Sequence, residues 1–188
     1  AVGVPGEAAG LAELHRRWGK LPLETVAAPA LAMANDGFEV GHHLGKALSK
    51  LGPEGPDMAQ KLFGTDAVPS QGDRVQRQNL GRSIAAFAAT SGRAFTHGTV
   101  AKDMAASARK QGGRLDAKDL AAYQPKERDP IVGTYRGWTV ITMPPPSSGG
   151  VILLQILKVL EGTDMATVEP HSAAWMHRLA EAMKHAYA

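Results

Sequence analysis

Residues 135–160 constrain the fold most strongly, because a strand pattern changes there into an apolar helix within a few residues. The first part is rich in aromatic and β-branched residues, which are typical of a strand. The run PPPSSGG at 144–150 follows, and its prolines end strand pairing because they have no N–H to donate. Residues 151–160 are then apolar except for Gln155 and Lys158. This composition predicts a helix that is buried on most of its circumference.

Ser147, Ser148, Gly149 and Gly150 stand where this helix begins, and two interpretations of them remain open. In the first, the free N–H groups and partial positive charge of the helix N-terminus bind an anion or a substrate. In the second, the residues form a tight strand-to-helix turn, and Ser148 caps the helix with its hydroxyl group. The sequence contains no GxGxxG, GxxxxGK[ST] or GxSxG motif. Residue chemistry alone therefore favours the turn.

Helical periodicity dominates the rest of the chain. It predicts helices over 7–18, 78–90, 99–110 and 172–188 and a weaker helix over 42–51. Thr99 and Ser172 precede two of these apolar patterns and are predicted to cap them. A further helix begins near Leu23, where Pro29 predicts a kink or a new start.

The β content is predicted to be small. Two strand-like pieces flank Arg136 and Gly137, and this pattern predicts a β-hairpin. We therefore expect a mainly α fold with a small β-hairpin. The predicted organisation is one domain over residues 1–188, made of a helical layer (1–130), a strand–turn–helix segment (131–161) and a final helix (172–188).

Composition excludes several classes of protein. The net charge is +3 and the basic residues are scattered, so no nucleic-acid partner is expected. The chain has no cysteine, which excludes disulfides, thiol catalysis and cysteine-based zinc sites. It has no apolar run long enough to span a membrane, and residues 1–6 do not resemble a signal peptide. No motif predicts a cofactor.

Histidines offer the closest approach to a metal site. His42 and His43 are adjacent, so they point to different sides of a helix and have no acidic or histidine partner four residues on. His177 and Glu181 are four residues apart, a spacing that more often gives an exposed ion pair on a helix. We predict no metal site. Ser147 and Ser148 also have no basic partner nearby in sequence.

Several segments resemble the large subunit of the γ-glutamyltranspeptidase family. The resemblance extends over essentially the whole chain, in order, and the MPPPSSGG stretch at 143–150 carries it most clearly. The other matching segments are AVGVPG through NDGF (1–38), Gly112-Gly113, DLAAY (119–123), Tyr135-Arg136-Gly137, QIL (155–157), LEG (160–162), EAMK (181–184) and AYA (186–188).

The resemblance implies a fold and an activity. Family members are N-terminal-nucleophile hydrolases with an αββα sandwich, made as one precursor that cleaves itself. The new N-terminal threonine of the small subunit attacks a γ-glutamyl amide such as glutathione, and the acyl group passes to water, an amino acid or a peptide. The resemblance further implies a small-subunit partner and a periplasmic or secreted location.

The chain matches only the later part of that large subunit. The nucleophilic threonine lies outside it, and Arg16, Arg17, Arg74 and Arg77 do not match the family's substrate-carboxylate arginine. We therefore expect no catalytic residue in this chain, no activity of the chain alone, and possible self-association through its uncovered apolar helix. Residues 147–150 remain candidates for bordering the substrate cleft. The alternative is a catalytically inactive helical module with a binding or structural role.

Overall fold

The structure is a computed structural model that describes residues 3–188, and these divide into two compact units. The N-terminal unit comprises residues 3–125, and the C-terminal unit comprises residues 126–188. The chain is mostly helical, as predicted, but it contains two small antiparallel sheets where the sequence predicted one hairpin. The predicted single domain and αββα sandwich stay predictions.

The N-terminal unit is built from short helices joined by tight turns. Its helices are α1 (Glu7–Trp18), α2 (Leu23–Asp36), α3 (His42–Leu48), α4 (Gly55–Phe63), α5 (Gln78–Thr90), α6 (Thr99–Lys110) and α7 (Ala117–Ala122). The predicted bounds of α1 and α5 are confirmed, and α6 ends at Lys110 as predicted. Helix α2 continues through Pro29, so the new start predicted there is wrong.

The extra sheet pairs two-residue strands, β1 (Phe38–Glu39) with β2 (Arg74–Val75). Strand β1 follows α2, and strand β2 precedes α5. Helices α2 and α5 pack against each other. A backbone bond of 2.8 Å from Arg77 N–H to the Ala34 carbonyl ties the two helices at this end. The side chain of Asn35 occupies the place that a Cβ on Gly81 would take. Glycine in α5 therefore permits the close approach of α2.

The core of the N-terminal unit is small and rich in alanine. Ala101 and Ala105 on α6 pack with Leu120 on α7, which is only 1% exposed. Helix α7 is held at its start by a capping box, in which Asp116 and Asp119 each accept from the other's backbone N–H. Each of the two carboxylates thus satisfies a backbone N–H group that the helix leaves unpaired at its start. The predicted cap at Thr99 is wrong, because Gly98 occupies the N-cap position of α6.

The C-terminal unit contains a hairpin and two longer helices. Strands β3 (Ile131–Tyr135) and β4 (Trp138–Thr142) pair antiparallel around Arg136 and Gly137, both of which have positive φ. The predicted hairpin is thus confirmed. Helix α8 (Gly149–Glu161) packs on β3 and on helix α9 (Ala173–Tyr187). The Ser172 hydroxyl accepts from Trp175 N–H at 3.2 Å, which confirms the predicted cap of α9.

Helix α8 is less buried than its composition predicts. Only Gly150 and Leu160 are buried, whereas Val151, Leu153 and Val159 are about two-fifths exposed. Within the C-terminal unit, the hairpin and α9 cover part of its circumference. The expectation of burial on most sides is therefore wrong for the described chain, and an apolar face of α8 remains open to solvent.

Candidate functional site

Residues 143–150 connect the end of β4 to the start of α8 and form the centre of the candidate site. The ladder ends at Thr142, and three prolines follow, as their missing N–H groups require. The peptide bond between Pro145 and Pro146 is cis. Ser147 N–H donates to the Pro144 carbonyl at 3.2 Å and closes the turn. The strand therefore leads into the helix over a short distance.

The two serines do not act as the sequence predicts. Ser148 occupies the N-cap position of α8, but its side chain makes no capping bond, and its backbone is already helical. The hydroxyl of Ser147 instead accepts from Gly149 N–H at 3.3 Å. Both side chains are exposed, and neither bonds to a basic or acidic side chain within residues 3–188. The described structure thus provides no general base for either hydroxyl group.

Gly150 sets how closely the helix approaches the strand. A Cβ at this position would overlap the carbonyl oxygen of Met143, so only glycine fits. In the described chain, the N–H groups of Gly150 and Val151 have no acceptor, and the first turn of α8 has no acidic residue. The helix N-terminus therefore keeps its partial positive charge and unpaired donors.

The opposite end of α8 is tied to the hairpin tip. The Glu161 carboxylate accepts from Lys158 Nζ at 2.6 Å and from Arg136 N–H at 2.7 Å. These hydrogen bonds, the one from Lys158 first, lower the pKa of Glu161. The Arg136 guanidinium also donates to the Thr163 carbonyl at 3.1 Å. The hairpin lies along α8, with its tip at the helix C-terminus and its open end near Gly150.

An open groove of about 740 Å³ occupies the open end of the hairpin. One wall is formed by Lys126, Arg128 and Pro130, which precede β3, and the other by residues 141–147. Ser147 thus lies in the wall, whereas Ser148, Gly149 and Gly150 are outside the lining. Lys126 and Arg128 are exposed and make no hydrogen bond or ion pair with another residue of the described chain.

The histidines have ordinary surface partners. The Nδ1 atom of His42 lies 3.3 Å from the side-chain oxygen of Gln71, and its ring makes an edge contact with that of His43. The Glu181 carboxylate accepts from Lys184 Nζ at 2.9 Å, whereas His177 acts on this carboxylate through its charge without a direct contact. The pair with Lys184 lowers the pKa of Glu181. Among residues 3–188, no group of three His, Asp or Glu side chains could hold a metal ion.

Sequence reasoning did not anticipate Lys126 and Arg128. The sequence predicts that residues 124–130 are charged and exposed, and charges in such segments are usually solvated. Their alternation with Glu127 and Asp129 was the available signal, because alternate residues of an extended chain point to opposite sides. None of the helices within residues 3–188 is long and apolar enough to cross a membrane.

Comparison with known proteins finds one family that matches the whole chain. The family model described as γ-glutamyltranspeptidase matches residues 1–188. The chain is 40% identical over 192 residues to a glutathione hydrolase proenzyme of Escherichia coli (strain K12), covering 100% of this chain and 33% of that protein. It is 35% identical over 191 residues to the acylase ACY 1 proenzyme of Pseudomonas sp. (strain SE83), covering 100% of this chain and 34% of that one.

A solved structure agrees with the sequence comparison. The γ-glutamyltranspeptidase of Helicobacter pylori matches with a TM-score of 0.87 at 30% identity, covering 99% of this chain and 54% of that chain. The chain spans about a third of the length of the curated relatives it matches. Its 188 residues thus correspond to one part of a longer type of protein.

Proposed function

The chain belongs to the γ-glutamyltranspeptidase family, and from this premise we propose that it is part of a γ-glutamyltransferase or hydrolase. The complete enzyme cleaves γ-glutamyl amides such as glutathione through an N-terminal threonine on a small subunit that is not among these residues. The observation that carries the proposal is the family match over the entire chain, together with relatives named glutathione hydrolase proenzymes.

The chemistry of the chain's own residues is consistent with a nucleophile located elsewhere. Ser147 and Ser148 are the exposed hydroxyl groups of the candidate site, and no described side chain is placed to take their protons. An N-terminal threonine does not need such a neighbour, because its own α-amino group serves as the general base. Backbone N–H groups near it stabilise the oxyanion that forms during attack.

Residues 147–150 have a positioning role in this proposal. They fix the start of α8 and border the substrate cleft of the complete enzyme, and they form no covalent bond with substrate. In the complete protein, Ser147→Ala and Ser148→Ala variants should therefore keep turnover within about tenfold of the parent. A loss of several orders of magnitude at unchanged thermal stability would assign one of them a catalytic role.

The small subunit is the partner that the apolar surface of the C-terminal unit requires. Leu153 on α8 and Val132 on the outer face of the hairpin are 42% and 61% exposed. Contiguous exposed apolar area of this kind marks interaction surfaces. Without that partner, the chain should self-associate. Light scattering at micromolar concentration tests this, and a monodisperse monomer that binds no hydrophobic dye would contradict it.

Activity is tested with the chain and with the complete protein encoded by its gene. The complete protein should cleave itself, release a threonine N-terminus detectable by mass spectrometry, and hydrolyse a γ-glutamyl anilide. The purified chain should show no turnover above a buffer blank. Turnover by the chain alone, retained through purification, would contradict the proposal. A second acyl amide without the γ-glutamyl group tests the acylase-type specificity that one relative's name suggests.

A periplasmic or secreted location is proposed from the family resemblance alone. Fractionation of the source cells, with the protein detected by an antibody against this chain, tests it. Recovery in the cytoplasmic fraction only would contradict it.

A further inference from the structure

The groove at the open end of the hairpin is formed by chain segments that separate from each other. Ile131 and Thr142 are the last paired residues of the ladder. Beyond them, residues 126–130 and 143–147 diverge and become the two walls. An extended segment can lie between walls of this kind, because each wall is itself an irregular or extended chain with free backbone groups.

Charge is segregated across the first wall. Lys126 and Arg128 line the groove together with Pro130, whereas Glu127 and Asp129, which alternate with them in sequence, do not. Alternate residues of an extended segment project to opposite sides, so both cations face the groove. Its lining, drawn from the described residues, contains two cationic side chains and no carboxylate.

The second wall is mainly apolar. It presents Ile141, Met143 and the three prolines, and it ends at the Ser147 side chain. An apolar wall facing two cations suits a ligand that combines an uncharged backbone or side chain with carboxylates. Residues two apart in an extended chain are separated by about 7 Å. The cation spacing along the first wall therefore equals the spacing of carboxylates at alternate positions of an extended acidic peptide.

We propose that this groove binds an extended acidic peptide, with carboxylates at alternate positions paired to Lys126 and Arg128 and the intervening residues against Ile141 and Met143. This inference goes beyond the proposed amide cleavage and does not depend on it. Binding is electrostatic in part and exposed to solvent, so it weakens with salt. Each exposed ion pair contributes a factor of about 1.4–5 in affinity.

The test measures binding directly, with no requirement for turnover. The probe is a dye-labelled peptide of alternating glutamate and alanine, followed by fluorescence anisotropy with the full 188-residue chain. The Lys126→Gln/Arg128→Gln double variant should weaken binding by about 2- to 25-fold, the product of two exposed pairs. The matched control is Lys102→Gln/Lys110→Gln on α6, which removes the same charge outside the groove and should change affinity less than about twofold.

Further arms separate the ligand classes. In the second peptide, glutamine replaces every glutamate. This peptide should bind the parent chain no more tightly than the acidic peptide binds the double variant. Equal binding of the glutamine peptide, or an unchanged affinity of the double variant, overturns the proposal. Displacement of the peptide by an equal concentration of glutarate also overturns it, because the site would then recognise a small dicarboxylate.

Folding of the variants is checked by circular dichroism. If the double variant loses its helical signal, the single variants Arg128→Lys and Arg128→Gln are compared instead. Arg128→Lys keeps the positive charge but has a smaller donor group. Its affinity should stay within about twofold of the parent, whereas Arg128→Gln alone should weaken binding by up to about fivefold. Identical affinities for these two single variants would overturn the role of the charge.

Discussion

The two units use their apolar residues in different ways. In the N-terminal unit, small residues such as Ala59, Ala101 and Ala105 are buried, and the last two pack with Leu120. In the C-terminal unit, the buried apolar residues among those described are Leu160, Ala182 and Ala186, while larger ones stay exposed on the hairpin and on α8. Large apolar side chains of the N-terminal unit, such as Leu14, Trp18 and Val26, are also exposed, but they lie on α1 and α2, outside the cluster around Leu120. The difference teaches that the alanine-rich helix α6 completes a small core with α7, whereas a hairpin with two apolar faces needs a further layer.

The largest expected effect comes from opening the N-terminal core. Leu120→Ala should lower the free energy of unfolding by about 2–5 kcal/mol, because it removes a side chain that is 1% exposed and leaves a cavity. Urea unfolding followed by circular dichroism measures this loss.

Leu153→Ala on α8 is the matched control in the C-terminal unit. Its side chain is 42% exposed, so the same substitution should cost about 1 kcal/mol. Equal losses at Leu120 and Leu153 would show that α8 is covered in solution and would remove the contrast between the units.

The next effect concerns the contact between strand and helix in the C-terminal unit. Gly150→Ala should destabilise the chain by about 1–3 kcal/mol, because its Cβ would overlap the backbone oxygen of Met143. Gly133→Ala is the control, since its Cβ would meet the movable end of the Leu154 side chain at 2.7 Å. That variant should stay within about 1 kcal/mol of the parent in the same unfolding experiment. A neutral Gly150→Ala would mean that α8 and β4 are not held together here.

A smaller effect distinguishes the two helix starts of the C-terminal unit. Ser172→Ala should cost about 1 kcal/mol, because it removes the hydroxyl that accepts from Trp175 N–H. Ser148→Ala should cost less than about 0.5 kcal/mol, since that hydroxyl makes no capping bond. Thermal unfolding of both variants gives the comparison. A larger loss of stability for Ser148→Ala than for Ser172→Ala would show that Ser148 caps α8 in solution, as the sequence predicts.

The smallest effect belongs to the surface of the N-terminal unit. Hydrogen bonds from Arg16 and then Arg17 lower the pKa of Glu13 to about 2 from an ordinary value of 4.5. A lowered folded-state pKa means that the stabilisation is present above pH 4.5 and is lost as the pH falls towards 2. Glu13→Gln should therefore lower the melting temperature slightly at pH 7 and less at pH 2.

The control for this pH dependence is Glu39→Gln on β1, whose side chain has no hydrogen-bond partner within residues 3–188. It removes a carboxylate of the same charge without removing a hydrogen bond, so at pH 7 it should lower the melting temperature less than Glu13→Gln does. A difference between the Glu13 and Glu39 variants that is independent of pH would exclude the ion pair as its source.

Much of the secondary structure follows from local signals in the sequence. Apolar spacing and a following glycine or serine place α1 and α5. The Arg136-Gly137 pair between two strand-like pieces places the hairpin turn, where both residues have positive φ. The strand β2 could not be predicted in this way. It is two residues long and forms only because Arg74 and Val75 meet β1, more than 30 residues earlier in the chain. A strand of two residues is too short to show the alternating pattern by which strands are predicted.

The candidate site shows the same division. The sequence by itself determined that a strand ends at the prolines, that a helix starts within the next few residues, and that Gly149 and Gly150 permit a tight junction, because these are properties of neighbouring residues. Only the tertiary structure decided that Ser147 rather than Ser148 bonds at the helix start, and that Lys126 and Arg128 face the prolines across a groove. Both depend on where antiparallel strands stop pairing, which brings together side chains that are about 20 residues apart in the chain.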